Sequence, residues 1–507
     1  MPTLLVAVLD SASIDFAPAS PLPCFPQMLF SSVAFIAFFL VVFTAYWGSG
    51  LLPLSNLALK RGRVYLLLAS SYFFYGCWSV PLLSLIAFST LVDFVVGRRI
   101  AETQSPKTRR TLLVVSVCTN LGLLGFFKYA NFFIAGAQDF LLSIGVEHEP
   151  ILLNIILPLG ISFYTFQSMS YTIDVYRGTI PPERNFGNFA LFVSFFPQLV
   201  AGPIVRASDF LWQVQKDHRL REVDFDHSVN MILRGLVKKI LVADVIVGFV
   251  DTVFATPEAY GTINTWLAIV TYTIQIYCDF SGYSDVAIGI AGLLGYRLPK
   301  NFDFPLMSRG FSEFWRRWHI SLFSWLRDYL FVPLGGNSRG TIFSYRNLII
   351  TMVLSGLWHG ASYAFLIWGL LHGLLLVGEL IARPVFQRIA RVVPRVIGEA
   401  AAICTTVALF SATLVFFRPQ PLSVAFQMTK TLFTWVPDAS LEMPTYTALL
   451  VAAAVLTHVV GDLGRNWQRK TFWIGTPVLR SLQFAGLSIL LILASESHEQ
   501  PFIYFQF

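Results

Sequence analysis

Residues 354–362 read LSGLWHGAS, and the histidine within them, His359, ends a run of twelve uncharged residues, NLIITMVLSGLW (347–358). An imidazole in such surroundings has two uses. With an ordinary pKa of about 6.5 it can take the proton of a hydroxyl that attacks an acyl group. Alternatively it stays neutral and bridges two helices by hydrogen bonds. If 347–370 forms one helix, His359 lies about 18 Å along the axis from Asn347. Ionisable groups at that depth in a bilayer face a cavity or a partner. Gly356 and Gly360 permit close backbone approach, and Ser355 and Ser362 supply hydroxyls. Neither serine stands in a Gly-x-Ser-x-Gly elbow and no cysteine is near in sequence, so a covalent acyl-enzyme lacks support. A general base acting directly on the incoming hydroxyl asks for less. His372, in WGLLHGLLL, reads as structural.

A second stretch, RGFSEFWRRWHISLFSWLRDYLFVPLGG (309–336), holds another histidine, His319. Set on a helix, Phe314, Trp315, Trp318, Leu322, Trp325, Leu326 and Tyr329 fall on one arc. Glu313, Arg316, Arg317, Ser324, Arg327 and Asp328 fall opposite, and His319 lies at the border. This pattern predicts an amphipathic helix whose tryptophans suit a membrane interface, with Glu313 paired to Arg316 or Arg317. Its arginines either anchor the helix at the surface or form a cationic mouth for the phosphates of an acyl donor such as coenzyme A. Arg309, Arg316, Arg317 and Arg327 are the candidates. Asp279 and Asp285, in YCDFSGYSDVAIGIAGLLGY (277–296), need partners in an apolar stretch. They read as polar glue between helices or as contacts to substrate.

These residues must be positioned by membrane helices. The 507-residue chain is 55% hydrophobic and 13% charged, against about 25% charged in soluble domains, and its mean hydropathy is +0.64. Apolar stretches long enough to cross a hydrocarbon core recur throughout, which defines an all-α polytopic membrane protein with roughly eleven spans. The first starts at Met28. Others are expected near 64–78, 81–96, 111–127, 151–173, 229–250, 264–293, 346–379, 400–417, 445–463 and 481–495. The net charge of +7 is read as basic residues in cytoplasmic loops rather than as a nucleic-acid footprint. No Lys or Arg precedes Lys60, and the next basic clusters, Lys60 to Arg63 and RRIAETQSPKTRR (98–110), are separated by two spans. The N-terminus is therefore expected outside, with Asp139, Glu147 and Glu149 in an external loop. NFALFVSFFPQLVAGPIV (188–205), broken by Pro197, Gly202 and Pro203, is expected to be re-entrant and to line a cavity. The five scattered cysteines form no metal or disulfide framework. Residues 1–27 read as an extension with no spanning role, ahead of a single membrane-embedded domain over 28–507.

The stretch from DFSGYSDVAIGIAGLLGYRLPKNFDFPLMSRGFSEFWRRWHISLFSWLRDYLFVPLGG to LSGLWHGASYAFLIWGLLHG closely resembles the membrane-bound O-acyltransferase family, in particular its bacterial alginate O-acetylation branch. The resemblance continues in FFKYANFF (126–133), LPLGISFYTFQSMSYTIDVYRG (157–178) and FFPQLVAGPIVR (195–206), covering nearly the whole chain beyond residue 27. It implies helices ringed around a tunnel, with His359 matching the family's central histidine and His319 the histidine of the WRRWH motif. It further implies acyl transfer in the bacterial inner membrane from a cytoplasmic thioester, acetyl-coenzyme A, to a hydroxyl. No metal or resident cofactor is implied. An extracytoplasmic acetyltransferase partner would pass the group to the polymer. His359 would act as base, helped or oriented by His319, with the Trp358 indole N–H or the Gly360 backbone N–H facing the oxyanion. The rival activity within the family is D-alanyl transfer to teichoic acid. A transporter or flippase without bond chemistry is the rival outside it, and the missing internal repeat weighs against that.

Overall fold

The structure, a computed structural model, describes residues 28–146, 149, 151–199, 202–418, 421–464 and 502. The extension 1–27 and the span expected at 481–495 lie outside the described residues. All regular structure among those residues is helical. In chain order the helices are α1 (Val33–Gly48), α2 (Asn56–Gly76), α3 (Val80–Glu102), α4 (Pro106–Leu124), α5 (Ala130–Ser143), α6 (Ile161–Arg177), α7 (Phe186–Ser194), α8 (Phe196–Leu199), α9 (Ala207–Val214) and α10 (Phe225–Leu236). They continue with α11 (Asp244–Ala255), α12 (Thr262–Leu293), α13 (Phe311–Arg317), α14 (Ile320–Leu326), α15 (Thr341–His359), α16 (Tyr363–Ile389), α17 (Arg395–Thr413), α18 (Leu422–Phe433) and α19 (Thr445–Leu463).

The first four helices start the same way. Ser32, Ser55, Ser79 and Ser105 each cap a helix N-terminus, the side chain accepting from the backbone N–H three residues on. That satisfies a donor the helix cannot pair itself. Lys60, Arg61 and Arg63 consequently lie in the first turns of α2 rather than in a loop, and the Arg63 guanidinium reaches the Tyr46 and His218 carbonyls at 3.0 and 2.9 Å. Helices α4 and α5 run on through a wide turn at Gly125–Tyr129, a π-helical stretch, so Asp139 sits on a helix and not in a loop.

Six helical stretches among the described residues are long and apolar enough to cross a membrane: Val33–Leu51, Val80–Glu102, Pro106–Ser143, Tyr363–Ile389, Arg395–Phe416 and Thr445–Leu463. The protein is a multi-pass membrane protein, but this is fewer than the eleven spans expected. Interior helices explain much of the shortfall. Helix α6 (ISFYTFQSMSYTIDVYR) is buried along almost its whole length and carries Ser, Thr and Gln where a lipid-facing helix would be apolar. Residues 189–199 form a broken, buried segment, and 202–205 are also buried. Phe189 to Leu199 are all buried. The carbonyl of Phe192, left open by the break at Phe195, accepts from the Gln167 and Gln198 amides at 2.5 and 2.6 Å. The Phe196 N–H donates to Ser71 Oγ at 3.1 Å. Where the regular helix is interrupted, side chains satisfy the freed backbone groups.

Candidate active site

The expected helix over 347–370 does not form. Helix α15 ends at His359, Gly360 to Ser362 are extended or bent, and α16 starts at Tyr363 and doubles back along α15. Glycines permit that hairpin. A Cβ on Gly356 would fall 2.1 Å from the Phe365 carbonyl oxygen, and one on Gly369 would fall 2.4 Å from that of Met352. The two backbones touch where any larger residue would separate them.

The break leaves four carbonyls at the end of α15 without a following turn. Gly360 N–H closes back on Gly356 at 3.4 Å. The other three are taken by the π-helical turn: Tyr129 hydroxyl donates to Leu357 O at 2.8 Å, and Lys128 Nζ to Trp358 O and His359 O at 2.6 and 3.0 Å. Lys128 Nζ also lies 3.4 Å from Ser162 Oγ. A buried ammonium thus sits at the negative end of the helix that carries His359.

His359 is 3% exposed. Its ring meets those of Trp358, Trp368 and Phe417 edge-on, with centroids 5.1, 5.2 and 5.0 Å away. The buried indole N–H groups of Trp358 and Trp368 find no acceptor among the described residues. A cavity of about 80 Å³ opens beside Trp358, lined by Trp78, Lys128, Ser162, Phe163, Trp358 and His359. Buried donors without acceptors are uncommon, and two of them beside one imidazole mark a place where negative charge would be welcomed.

His319 lies at a second break. The single amphipathic helix expected over 309–336 is divided into α13 and α14, and His319 between them adopts the left-handed conformation, φ 45° and ψ 50°. For a residue with a Cβ this costs about 1–3 kcal/mol unless the surroundings impose it. Asn301 imposes it: its carbonyl oxygen accepts from Ile320 N at 2.9 Å, and its side-chain Oδ1 accepts from Ser321 Oγ at 2.9 Å and from His319 Nδ1 at 3.3 Å. With the proton on Nδ1, His319 Nε2 is the lone-pair nitrogen. The His319 ring centroid lies 6.0 Å from that of Trp358, so one indole neighbours both imidazoles. The tryptophans of the expected arc are divided by this break and face protein: Trp315, Trp318 and Trp325 are buried, the last stacked on Phe166 at 3.8 Å.

The remaining candidates separate. Arg317 is half-buried and paired with Glu313 and with Asp462, at 2.8 Å for the latter. Arg316 is exposed and makes no ion pair among the described residues. Arg327 is exposed and bonds Asp328 at 2.7 Å, and Arg206 bonds the same carboxylate at 2.6 Å. Partial burial would raise the Asp328 pKa, but these two guanidiniums hold it below the usual carboxylate range. Asp279 and Asp285 lie on α12 against α10 and the turn that follows it. Lys239 bridges Asp279 and Asp244 at 2.8 and 2.7 Å, while Asp285 takes Arg234 and Lys238 at 2.9 and 2.7 Å. His372 is fully buried and bonds Thr413 Oγ1 at 3.0 Å. Among the described residues no three His, Cys, Asp or Glu side chains gather as a metal site. Sequence reading passed over Lys128, Tyr129 and Asn301. The signal for Lys128 was present, a lone ammonium in the apolar run GLLGFFKYANFF.

A polytopic helical bundle with a buried histidine at an interrupted helix narrows the class to integral membrane enzymes and carriers. The sequence model of MBOAT, the membrane-bound O-acyltransferase family, matches residues 180–417. A protein described as a probable alginate O-acetylase AlgI from Pseudomonas aeruginosa is 42% identical over 438 residues, covering 85% of this chain and 80% of its own. One of the same description from Pseudomonas putida is 38% identical, over 95% of this chain and 100% of its own. A peptidoglycan O-acetyltransferase from Helicobacter pylori is 35% identical, over 79% and 77%. The chain belongs to the membrane-bound O-acyltransferase family and is an O-acyltransferase of the membrane.

Proposed function

We propose that this chain moves an acetyl group from acetyl-coenzyme A on the cytoplasmic side of the bacterial inner membrane to a hydroxyl on the outer side, for O-acetylation of an exopolysaccharide of the alginate type. The observation that carries the reading is His359, buried at the end of a broken helix beside two indole N–H donors that find no acceptor among the described residues. In this reading His359 takes the proton of the acceptor hydroxyl as its oxygen attacks the thioester carbon. The oxyanion so formed is met by the Trp358 N–H, with Trp368 beside it. On collapse the carbon–sulfur bond breaks and the leaving thiolate receives the proton from His359. His319, held by Asn301 through Nδ1, orients the pair of reactants or shares the proton. Arg316 and Arg327 meet the donor's phosphates at the cytoplasmic face, while Arg317, tied to Glu313 and Asp462, braces the helix between them. Asp279 and Asp285, each held by basic side chains, serve the scaffold rather than the substrate.

The N-terminal side lies outside in this reading, in keeping with the absence of Lys and Arg before Lys60. An extracytoplasmic acetyltransferase partner passes the group to the polymer. Alginate is favoured over D-alanylated teichoic acid because the O-acetylase relatives align over most of this chain. Deleting the gene in its native bacterium and measuring ester-linked acetate on the exopolysaccharide tests the reading. Loss of acetate, restored by the wild-type chain, is expected. Unchanged acetylation contradicts it.

A further inference from the structure

We propose that Lys128 and Tyr129 form a clamp that positions His359, so that Lys128 is a positioning residue for acyl transfer. The inference rests on the reading of His359 as the base. Its geometry is a complete accounting of one helix end. Three consecutive carbonyls, those of Leu357, Trp358 and His359, receive the Tyr129 hydroxyl and the Lys128 ammonium at 2.8, 2.6 and 3.0 Å. The donors come from residues about 230 positions earlier in the chain, on a different helix. The wide turn at Gly125–Tyr129 is where two successive side chains meet that helix end, and such turns recur at functional sites.

A plain helix cap would do without this arrangement. Backbone N–H groups of a following turn, or a glycine in left-handed conformation, close most helices. Here the following residues, Gly360 to Ser362, leave the helix at once, which frees His359 from the α15 barrel and opens the cavity beside it. The surrounding rings confine the His359 side chain, whereas the clamp fixes the backbone of the last turn that carries it. Lys128 also lies 5.9 Å from the centroid of the Trp358 ring, so the same ammonium holds the backbone of the candidate base and flanks the indole of the candidate oxyanion donor.

The test uses membranes of the native bacterium complemented with each full-length variant, so that the natural acceptor is present, with radiolabelled acetyl-coenzyme A as donor. Rates are taken per mole of chain, and heat stability is measured on the solubilised protein. Lys128→Met is expected to lower kcat at least about tenfold, with the donor KM within about twofold, because small misplacements of a reacting group are costly. Tyr129→Phe, which loses one of the three bonds and keeps the ring, is expected to lower kcat about threefold with heat stability unchanged. A purely structural lysine would lower the yield or heat stability and leave kcat per folded chain alone. The clamp is overturned if Lys128→Met and Tyr129→Phe keep wild-type kcat. Should Lys128→Met not accumulate, wild-type kcat in Tyr129→Phe overturns it. His359→Ala, measured alongside, separates the failures. If it is active, the base assignment falls and the clamp with it. If it is inactive while the clamp variants are normal, only the clamp falls.

Discussion

Two regions of this protein bury charge inside apolar helices, and they do so in opposite ways. On α12, Asp279 and Asp285 are each held by lysine or arginine, and Lys239, with a side chain only 4% exposed, lies between two carboxylates. Every charge there has an opposite within hydrogen-bonding reach. Around His359 the buried Lys128 side chain is taken up by backbone carbonyls, and the neighbouring indole N–H groups find no acceptor among the described residues. The first region is electrostatically closed. The second is open and adjoins a cavity. Compensated charge joins helices, whereas uncompensated polarity beside a cavity is what a reaction with transient charge needs.

The comparison predicts different failures. Lys239→Met leaves Asp279 and Asp244 without the lysine between them. Breaking a buried pair in this way costs about 3–5 kcal/mol, so the variant is expected to lose yield and heat stability in detergent while any folded fraction keeps wild-type turnover. A stable, well-folded Lys239→Met protein would erase the contrast. Trp358→Phe keeps an aromatic ring and removes one donor, and a loss of about a hundredfold in kcat with little change in heat stability is expected. Equal turnover would mean that the open N–H is incidental. His319→Gln keeps a polar group near Asn301 but removes the imidazole, and kcat is expected to fall about tenfold. A collapse in stability instead of rate would move His319 to the scaffold.

Much of this was legible in the sequence. Histidines in apolar runs, carboxylates needing partners, a tryptophan-rich arc and a Pro/Gly-broken segment all pointed to elements that exist. What could not be read was where helices stop. NLIITMVLSGLWHGASYAFLIWGLL is apolar on both sides of His359, so hydropathy runs straight through a break whose freed carbonyls distant residues satisfy. Lys128 and Tyr129 reach it from about 230 positions away, and Asn301 holds the other break, at His319. Periodicity likewise placed the tryptophans of 315–325 on one face, but it could not tell a lipid interface from the rings that cover them, Phe166 over Trp325 and Phe410 beside Trp315 and Trp318. Local pattern records which residues share a face. It does not record what packs there.

The most direct measurement compares the wild-type chain with His359→Ala in nanodiscs supplied with acetyl-coenzyme A and a soluble hydroxyl acceptor, scored by coenzyme A release. Wild-type turnover with a loss of at least about a hundredfold in the variant, at unchanged heat stability, is the predicted result. Equal turnover in both proteins would contradict the account, because His359 would then belong with Asp279 and Asp285 in the scaffold.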